Sequence, residues 1–161
     1  RGSPPPRATR AKNRATARNH DPGDERLRRV FMEPTLIVVA DTCVLIDFLR
    51  GDVRAVELRD ELLREEDDLW SVTVVRTEVM AGMRRGEERN TLALLDAIKW
   101  QDVTVEVADR AGQLARRHLK SHPGVDTVAY LIAATVDLLG ARLLTVNVKH
   151  FPMIPGLRPA Y

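Results

Sequence analysis

Short apolar runs alternate with longer amphipathic segments along the chain. Residues 35–40 form a continuous run of mostly β-branched side chains, which is typical of a strand covered on both faces. Further strands are predicted at residues 69–72, 103–107 and 142–146. Helical spacing predicts helices at 44–49, 53–66, from 71 or 73 to about 83, 87–99, 109–118 and 125–139. This alternation predicts a three-layer α/β/α fold, in which helices cover both faces of a central, mostly parallel sheet.

Four polar side chains stand beside predicted strand ends or within apolar helices. Asp41 directly follows the first strand, and Glu78 lies in an otherwise apolar helix. Asp126 opens the apolar helix at 125–139, and Asn147 follows the last strand. Ligands of open parallel sheets bind beyond the carboxyl ends of the strands, where the strand order reverses. We therefore expect these four side chains to converge on one edge of the sheet.

Three carboxylates and an amide in one place indicate a metal-assisted hydrolase. Like charges at short range repel each other, so a cluster of carboxylates is tolerated when a cation neutralises it. Oxygen ligands without Cys or His favour Mg²⁺ or Mn²⁺ over Zn²⁺. Such an ion activates water and stabilises charge on a phosphodiester, and a second ion can complete the clamp. The pattern predicts phosphodiester hydrolysis without a protein nucleophile.

Each of these residues also has an ordinary structural interpretation. Asp41 is compatible with a helix N-cap, and Asp126 with an acid that is favoured at a helix N-terminus. Glu78 is compatible with a side chain that reaches solvent from a partly buried helix, and Thr145 and Asn147 are compatible with turn chemistry. An aspartate after a parallel strand also suits a phospho-acceptor signalling domain, but that hypothesis leaves Glu78 unexplained.

The net charge of +2 is unevenly distributed. Residues 1–31 hold nine Lys and Arg against three Asp and Glu, which leaves 16 basic and 20 acidic residues in 32–161. The first segment also contains three consecutive prolines and little apolar periodicity, so we expect a disordered basic extension. Two origins fit it: residues before a natural start at Met32, from an expression vector or an upstream reading frame, or a genuine basic arm for RNA. We favour the first.

Cysteine content and hydropathy bear on the cellular compartment. Cys43 is the single cysteine and cannot form an internal disulfide, which is typical of a reducing cytosol. Its apolar neighbours predict a packed structural thiol rather than a nucleophile. No apolar stretch approaches the roughly 18 residues that a membrane span needs. We expect a cytoplasmic protein without a membrane partner.

Four segments resemble, in order and spacing, those of the PIN-domain VapC toxins of bacterial toxin–antitoxin pairs. They are VADT at 39–42, SVTVVRTEVMAG at 71–82, DTVAYLIAAT at 126–135 and LTVNVKHF at 144–151. The resemblance covers about residues 35–157 and implies a PIN domain within 32–161. It further implies a Mg²⁺- or Mn²⁺-dependent endoribonuclease that acts on RNA, forms a homodimer and is neutralised by a VapB antitoxin.

The resemblance also implies roles for individual residues. By position, Asp41, Glu78 and Asp126 match the metal-binding acids of the family, and Asn147 stands where the family commonly has Asp or Asn. The candidates for orienting or contacting substrate are Thr42, Thr145, Arg85 and Lys149. The scarcity of aromatic residues disfavours base stacking, so we expect recognition through RNA shape and backbone.

Two positions depart from the pattern of the family. Cys43 stands where Ser or Thr is frequent, and we expect this change to remove a hydrogen bond near Asp41. His150 stands where Asp is frequent, which together with Asn147 leaves the fourth corner of the site without a carboxylate. A site with three acids is expected to hold one ion well and a second weakly. The alternative hypothesis is a catalytically weak PIN scaffold that binds RNA or protein.

Overall fold

The computed structural model describes residues 35–161, which form four strands and six α-helices. The strands are β1 (Ile37–Ala40), β2 (Asp68–Val72), β3 (Lys99–Gln101) and β4 (Arg142–Leu144). The helices are α1 (Thr42–Arg50), α2 (Val53–Glu65), α3 (Thr73–Ala81), α4 (Glu88–Ala97), α5 (Val105–His118) and α6 (Thr127–Leu139). A 3₁₀ turn spans Val148–His150.

The four strands form one parallel sheet in the order β3-β2-β1-β4. Val39 of β1 pairs with Trp70 of β2 on one side and with Leu143 of β4 on the other. The chain therefore builds β2 and β3 outward from β1 and then returns to the opposite side for β4. The strand order reverses between β1 and β4, so their carboxyl ends flank the crevice in which such sheets bind ligands.

The hydrophobic core lies between the sheet and the helices. Val38, Val39 and Ala40 of β1 are fully buried, as expected of a central strand with helices on its faces. Helix α6 contacts β1, β2 and β4 and packs along α5, while α1 contacts α2, α3 and α4. The predicted α/β fold with a central parallel sheet is confirmed.

Two glycines end helices where the sequence predicts an end. Gly51 follows α1 with a φ of 70°, and Gly140 follows α6 with a φ of 60°. This left-handed conformation lets the amide of the residue after a helix bond to the last free carbonyls, and glycine adopts it without a Cβ clash. The ends of α1 and α6 thereby set where the loops toward α2 and β4 begin.

The predicted strand at 103–107 is wrong. Helix α5 begins at Val105, and the Thr104 hydroxyl caps it by accepting a hydrogen bond of 3.3 Å from the Val107 amide. The alternation of valines does not reflect a strand face, because Val103 is 41% and Val105 78% exposed while Val107 is 2% exposed. Val107 is the first inward position of an amphipathic helix, and the cap decides the local structure.

Two helix boundaries also differ from the predictions. The third strand is Lys99–Gln101, where the helix at 87–99 was expected to end, and Trp100 in it donates to the Leu95 carbonyl at 2.8 Å. Helix α3 begins without a side-chain cap, because Ser71 instead donates to the Ala40 carbonyl at 2.7 Å across the sheet. In both cases a contact across the sheet outweighs the local pattern, since β3 pairs with β2 and Ser71 bonds to β1.

The predicted basic extension at 1–31 and the proposed start at Met32 lie outside the described residues. Within residues 35–161, no helix combines the length and the apolar character needed to cross a membrane.

Candidate active site

One cavity of about 260 Å³ brings together the residues that the sequence singled out. Its polar lining includes Asp41, Glu78, Asp126 and Asn147, from the ends of β1 and β4 and from α3 and the start of α6. The cavity lies where the strand order reverses, because Asp41 follows β1 and its amide donates to the carbonyl of Leu144 in β4 at 2.9 Å. Three carboxylates distant in sequence thus face one volume.

Asp41 is held by donors on both carboxylate oxygens. Its Oδ1 accepts a hydrogen bond of 2.7 Å from the Thr42 amide, so Asp41 is the N-cap of α1. Its Oδ2 accepts from the Thr145 hydroxyl at 2.7 Å and from the Cys43 thiol at 3.1 Å. The capping interpretation of Asp41 is therefore correct in geometry, and the same bonds fix the orientation of the carboxylate toward the cavity.

Thr145 lies behind the cavity rather than on its wall. Its side chain is fully buried, donates to Asp41 and accepts a hydrogen bond of 3.0 Å from the Asn147 amide. The Thr145 hydroxyl therefore joins the ends of β1 and β4 across the reversal of strand order. A buried hydroxyl of this kind is costly unless it is bonded, which makes the position strongly constrained.

Thr42 connects two of the acids. Its amide donates to Asp41, and its hydroxyl donates to Glu78 Oε2 on α3. Glu78 itself is exposed, which agrees with the expectation that its carboxylate reaches solvent from a helix whose other face is buried. The first residue of α1 therefore sets the spacing between the carboxylates of Asp41 and Glu78.

Asp126 caps α6. Its Oδ1 accepts a hydrogen bond of 2.8 Å from the Ala129 amide, and the side chain is exposed at the cavity. Capping by one oxygen orders this carboxylate and leaves the second oxygen without a hydrogen bond from the residues that the structure describes. The structural interpretation and the ligand interpretation of Asp126 thus use different oxygens of one side chain.

Cys43 retains a hydrogen bond that the sequence predicted to be lost. Its thiol donates to Asp41 and lies 3.6 Å from the Thr145 hydroxyl. Burial and the nearby negative charge of Asp41 raise the pKa of the Cys43 thiol, which favours the neutral, donating form. Cys43 is half-buried and lines the cavity, so it is part of the site rather than a thiol packed only in the core.

The fourth corner of the site holds an amide and an imidazole. Asn147 Nδ2 lies 3.1 Å from His150 Nδ1, and both residues line the cavity. Residues three positions apart lie on the same side of a 3₁₀ turn, so the Val148–His150 turn brings Asn147 and His150 together. Neither group is a carboxylate, so the corner differs from the three acids that line the rest of the cavity.

Chemistry and geometry give different answers about a metal ion. Carboxylate oxygens without a soft ligand suit Mg²⁺ or Mn²⁺. In residues 35–161, however, no three His, Cys, Asp or Glu side chains are arranged to hold a metal ion together. Mg²⁺ in proteins usually keeps several waters and takes only one or two carboxylates directly, so three acids around a shared cavity fit such an ion without forming a closed cage.

Arg85 and Lys149 are not brought into this group. Both are exposed, and neither lines the cavity. Thr42 does line the cavity and Thr145 supports it from behind, so two of the four substrate-orienting candidates lie beside the acids.

A contact between Asp47 and Tyr161 was not predicted. The Tyr161 hydroxyl donates to Asp47 Oδ2 at 2.7 Å across 114 residues of sequence. The Arg54 guanidinium lies 5.3 Å from the centre of the Tyr161 ring, and the neighbouring Ala160 amide donates to the Thr145 carbonyl at 2.9 Å. No local pattern signals such a contact, because it depends on the tertiary path of the chain.

Comparison with known proteins identifies the fold and its relatives. The family model described as PIN domain matches residues 38–154. Ribonuclease VapC19 of Mycobacterium tuberculosis is 44% identical over 121 residues, which cover 75% of this chain and 97% of VapC19. Ribonuclease VapC10 of the same organism is 40% identical over 127 residues, which cover 78% of this chain and 93% of VapC10.

A solved structure has the same architecture. A toxin–antitoxin complex from Klebsiella pneumoniae contains a chain that matches with a TM-score of 0.62 at 25% identity, over 77% of this chain and 98% of that one. All four acidic or amide positions of the cavity lie inside the segment that the family model covers.

Proposed function

The chain belongs to the PIN-domain family, and we propose that it is an endoribonuclease that acts as the toxin of a toxin–antitoxin pair. The observation that carries this proposal is the cavity at the reversal of strand order, into which Asp41, Glu78 and Asp126 project from three separate elements. The two relatives named as ribonucleases support the reaction class, because their similarity extends over almost their whole length.

We further propose that these three acids bind Mg²⁺ or Mn²⁺. When bound, such an ion supplies water activation and stabilises the negative charge that builds on the phosphate. Two observations support the assignment. The donors are carboxylate oxygens, and the second oxygens of Glu78 and Asp126 accept no hydrogen bond from the described residues.

The surrounding residues orient the acids. Thr145 and Thr42 fix Asp41 and connect it to Glu78, so the carboxylates do not have to be ordered when substrate arrives. Apolar side chains form the remaining wall of the cavity: Ile46, Val128, Ala129, Ile132 and Phe151. An apolar wall lowers the local dielectric and strengthens each electrostatic contact inside.

Asn147 and His150 offer uncharged polar atoms at the same wall. An amide or imidazole nitrogen donates to a phosphate oxygen without the repulsion that a fourth carboxylate would exert. We propose that this corner contacts the phosphate of the RNA and contributes less to cation binding than the three acids do.

We propose an antitoxin of the VapB type as the protein partner. The similarity to a chain of the Klebsiella pneumoniae toxin–antitoxin complex supports this assignment. Co-expression with the product of the adjacent upstream gene tests it, since a cognate antitoxin is expected to co-purify and to suppress RNA cleavage.

A cleavage assay tests the reaction. Purified protein with Mg²⁺ or Mn²⁺ is expected to cut an RNA pool, and Asp41→Asn is expected to lose at least 100-fold in rate because one acid of the site becomes neutral. The matched control is Asp60→Asn, which removes a carboxylate that pairs with Arg59 on α2 outside the cavity. It should cleave like the wild type.

Two results would count against this function. Equal cleavage by wild type and Asp41→Asn would identify a contaminating nuclease. RNA binding by the wild type without any cleavage would instead favour the binding scaffold as the function of this chain.

A further inference from the structure

A basic strip precedes Asp126 along the chain. Residues 110–125 contain Arg110, Arg116, Arg117 and Lys120 and no Asp or Glu. Residues 32–161 hold 16 basic and 20 acidic residues in total, so 12 basic and 20 acidic residues lie outside this segment. This segment therefore has a net charge of +4, whereas the rest of 32–161 has a net charge of −8.

Three of these cations have no carboxylate partner within residues 35–161. Arg110 donates to Asp137 at 2.6 Å and is neutralised there. Arg116, Arg117 and Lys120 are exposed and form no ion pair or hydrogen bond with the residues that the structure describes. By contrast, cations such as Arg59 and Lys99 are paired with Asp60 and Asp68. Unpaired cations that stand together leave a positive potential that a polyanion can neutralise.

The surface around Arg117 is concave. A depression of about 320 Å³ is lined by Gln113, Arg116 and Arg117. A second, of about 410 Å³, is lined by Arg110, Arg117, His118 and Asp137 together with apolar residues of α5, α6 and the segment that follows β4. Arg117 thus stands between two depressions. The first of them carries charge of one sign, which a concave surface concentrates more than a flat surface does.

The strip directly precedes Asp126 along the chain. Helix α5 ends at His118, and the connection to α6 is tightened by a hydrogen bond of 3.2 Å from the Val125 amide to the His122 carbonyl. Asp126 is six positions after Lys120, so their Cα atoms are at most about 22 Å apart. A nucleic-acid strand whose phosphate lies at Asp126 extends over that distance within a few nucleotides.

We propose that Arg116, Arg117 and Lys120 bind the phosphate backbone of RNA next to the position that is cut, an inference that rests on the proposed function. Arginine forks match phosphate oxygens in bidentate geometry, and lysine supplies a compact point charge. The repulsion between RNA and an acidic domain is overcome at this strip, which steers the strand toward the cavity. Recognition is of the backbone, in keeping with the few aromatic residues of the chain.

Salt dependence of binding tests the strip. The triple variant Arg116→Gln, Arg117→Gln, Lys120→Gln is compared with the control triple variant Arg64→Gln, Arg142→Gln, Arg158→Gln, in which three exposed cations outside the strip are lost. Both carry Asp41→Asn, so a labelled single-stranded RNA stays intact. The full chain is used, and any contribution of the basic residues 1–31 is equal in all proteins.

The expected result is a change in slope. Three phosphate contacts contribute about 2 units to the dependence of log Kd on log salt concentration, at about 0.7 per contact for a single strand. When the salt concentration rises from 50 to 200 mM, the fold-loss of affinity should therefore be about 16 times smaller for the strip variant than for the Asp41→Asn parent. The control should keep the parental slope.

The outcomes separate this inference from the proposed function. An unchanged slope in the strip variant, with RNA cleavage by wild type intact, overturns the strip and leaves the ribonuclease standing. An absence of cleavage by wild type, with the predicted change in slope, overturns the ribonuclease and supports the strip. If the strip variant keeps its RNA slope but fails to bind the antitoxin, the surface belongs to the protein partner and the inference is wrong.

Discussion

Thr145 is the residue on which the geometry of the cavity depends most directly. Its hydroxyl donates to the Asp41 carboxylate and accepts from the Asn147 amide, and its carbonyl accepts from the Ala160 amide. The buried side chain therefore aligns an acid at the end of β1 with the amide that follows β4, and the backbone carbonyl of the same residue holds the chain beyond it. The sequence identifies this threonine only as a candidate, because none of these partners except Asn147 is close in sequence.

Substitution Thr145→Val should separate shape from hydrogen bonding. Valine keeps the volume but leaves the Asn147 amide without its acceptor and removes a donor from Asp41. We expect a loss of about 1–3 kcal/mol in the free energy of unfolding, measured by urea denaturation, together with slower RNA cleavage. Thr145→Ser keeps the hydroxyl and is the control. Equal stability of the valine and serine variants would show that the hydrogen bonds do not matter.

Asp126 has two roles that substitution can separate. Asp126→Asn keeps an oxygen that accepts from the Ala129 amide, whereas Asp126→Ala removes the cap. We expect the alanine variant to lose about 1 kcal/mol of stability and the asparagine variant to lose much less. Both should lose cleavage, because both remove the charge. If Asp126→Asn still cleaves RNA, the role of Asp126 is limited to capping α6.

Residues that line the cavity were predictable from sequence where they follow a strand or begin a helix. Asp41 and Asp126 stand at such boundaries, and the apolar runs around them indicate the edge of the sheet to which they belong. The bond from Thr42 to Glu78 was not predictable, since it depends on the angle between α1 and α3. Sequence thus identifies which groups meet, and tertiary packing decides how they are bonded.

At the scale of elements, the segment after β4 binds α1 to the sheet. Tyr161 donates to Asp47 on α1, one helical turn beyond Cys43, while the adjacent Ala160 bonds to the carbonyl of Thr145. Helix α1, which carries Thr42 and Cys43, is therefore held at two positions, by its N-cap and by the contact between Asp47 and Tyr161.

Tyr161→Phe tests this contact. The contribution of the contact to stability should depend on pH. Burial and Asp47 raise the pKa of the Tyr161 phenol, so the folded state favours the protonated form. The stabilisation is complete below the unfolded pKa of about 10 and is lost as pH rises above it, because the unfolded chain releases the proton first. We expect Tyr161→Phe to cost about 0.5–1.5 kcal/mol near neutral pH.

Urea denaturation at several pH values measures the effect. The difference in stability between wild type and Tyr161→Phe should be constant from pH 7 to 9 and should shrink above pH 10. A difference that grows in alkaline solution would contradict the direction of the pKa shift.

The elements were predictable to different degrees for physical reasons. β1 and α6 are buried on most sides, so their composition alone indicates them. β3 is an edge strand of Lys99, Trp100 and Gln101, in which polar side chains hide the strand pattern. The valines at 103–107 show the opposite failure, since an alternating pattern appears where the Thr104 cap starts a helix. Edge strands and capped helix starts are the elements that periodicity misjudges.

For the molecule as a whole, topology accounts for the site. The order β3-β2-β1-β4 brings the carboxyl ends of β1 and β4 together, so residues about 100 positions apart meet at the centre of the sheet. The charged groups are also separated across the molecule. The acids lie in a cavity at this edge, and cations without an ion-pair partner among residues 35–161 lie on the strip before Asp126. On our proposals, a polyanionic substrate is accommodated by a cation at the acids and by direct contact at the strip.

Metal-dependent stabilisation tests the cavity on the intact protein without an activity assay. A cation that binds only the folded state adds about 2.7 kcal/mol to the free energy of unfolding at 100 times its Kd, so the melting temperature should rise with Mg²⁺ or Mn²⁺ concentration. Asp41→Asn removes one acid of the cavity and should blunt the rise, while Asp60→Asn should keep it. Because the carboxylates form no closed cage, we expect the rise at millimolar rather than micromolar Mg²⁺. An equal rise in all three proteins would show that the ion binds elsewhere, and the proposed role of the three acids would then fail.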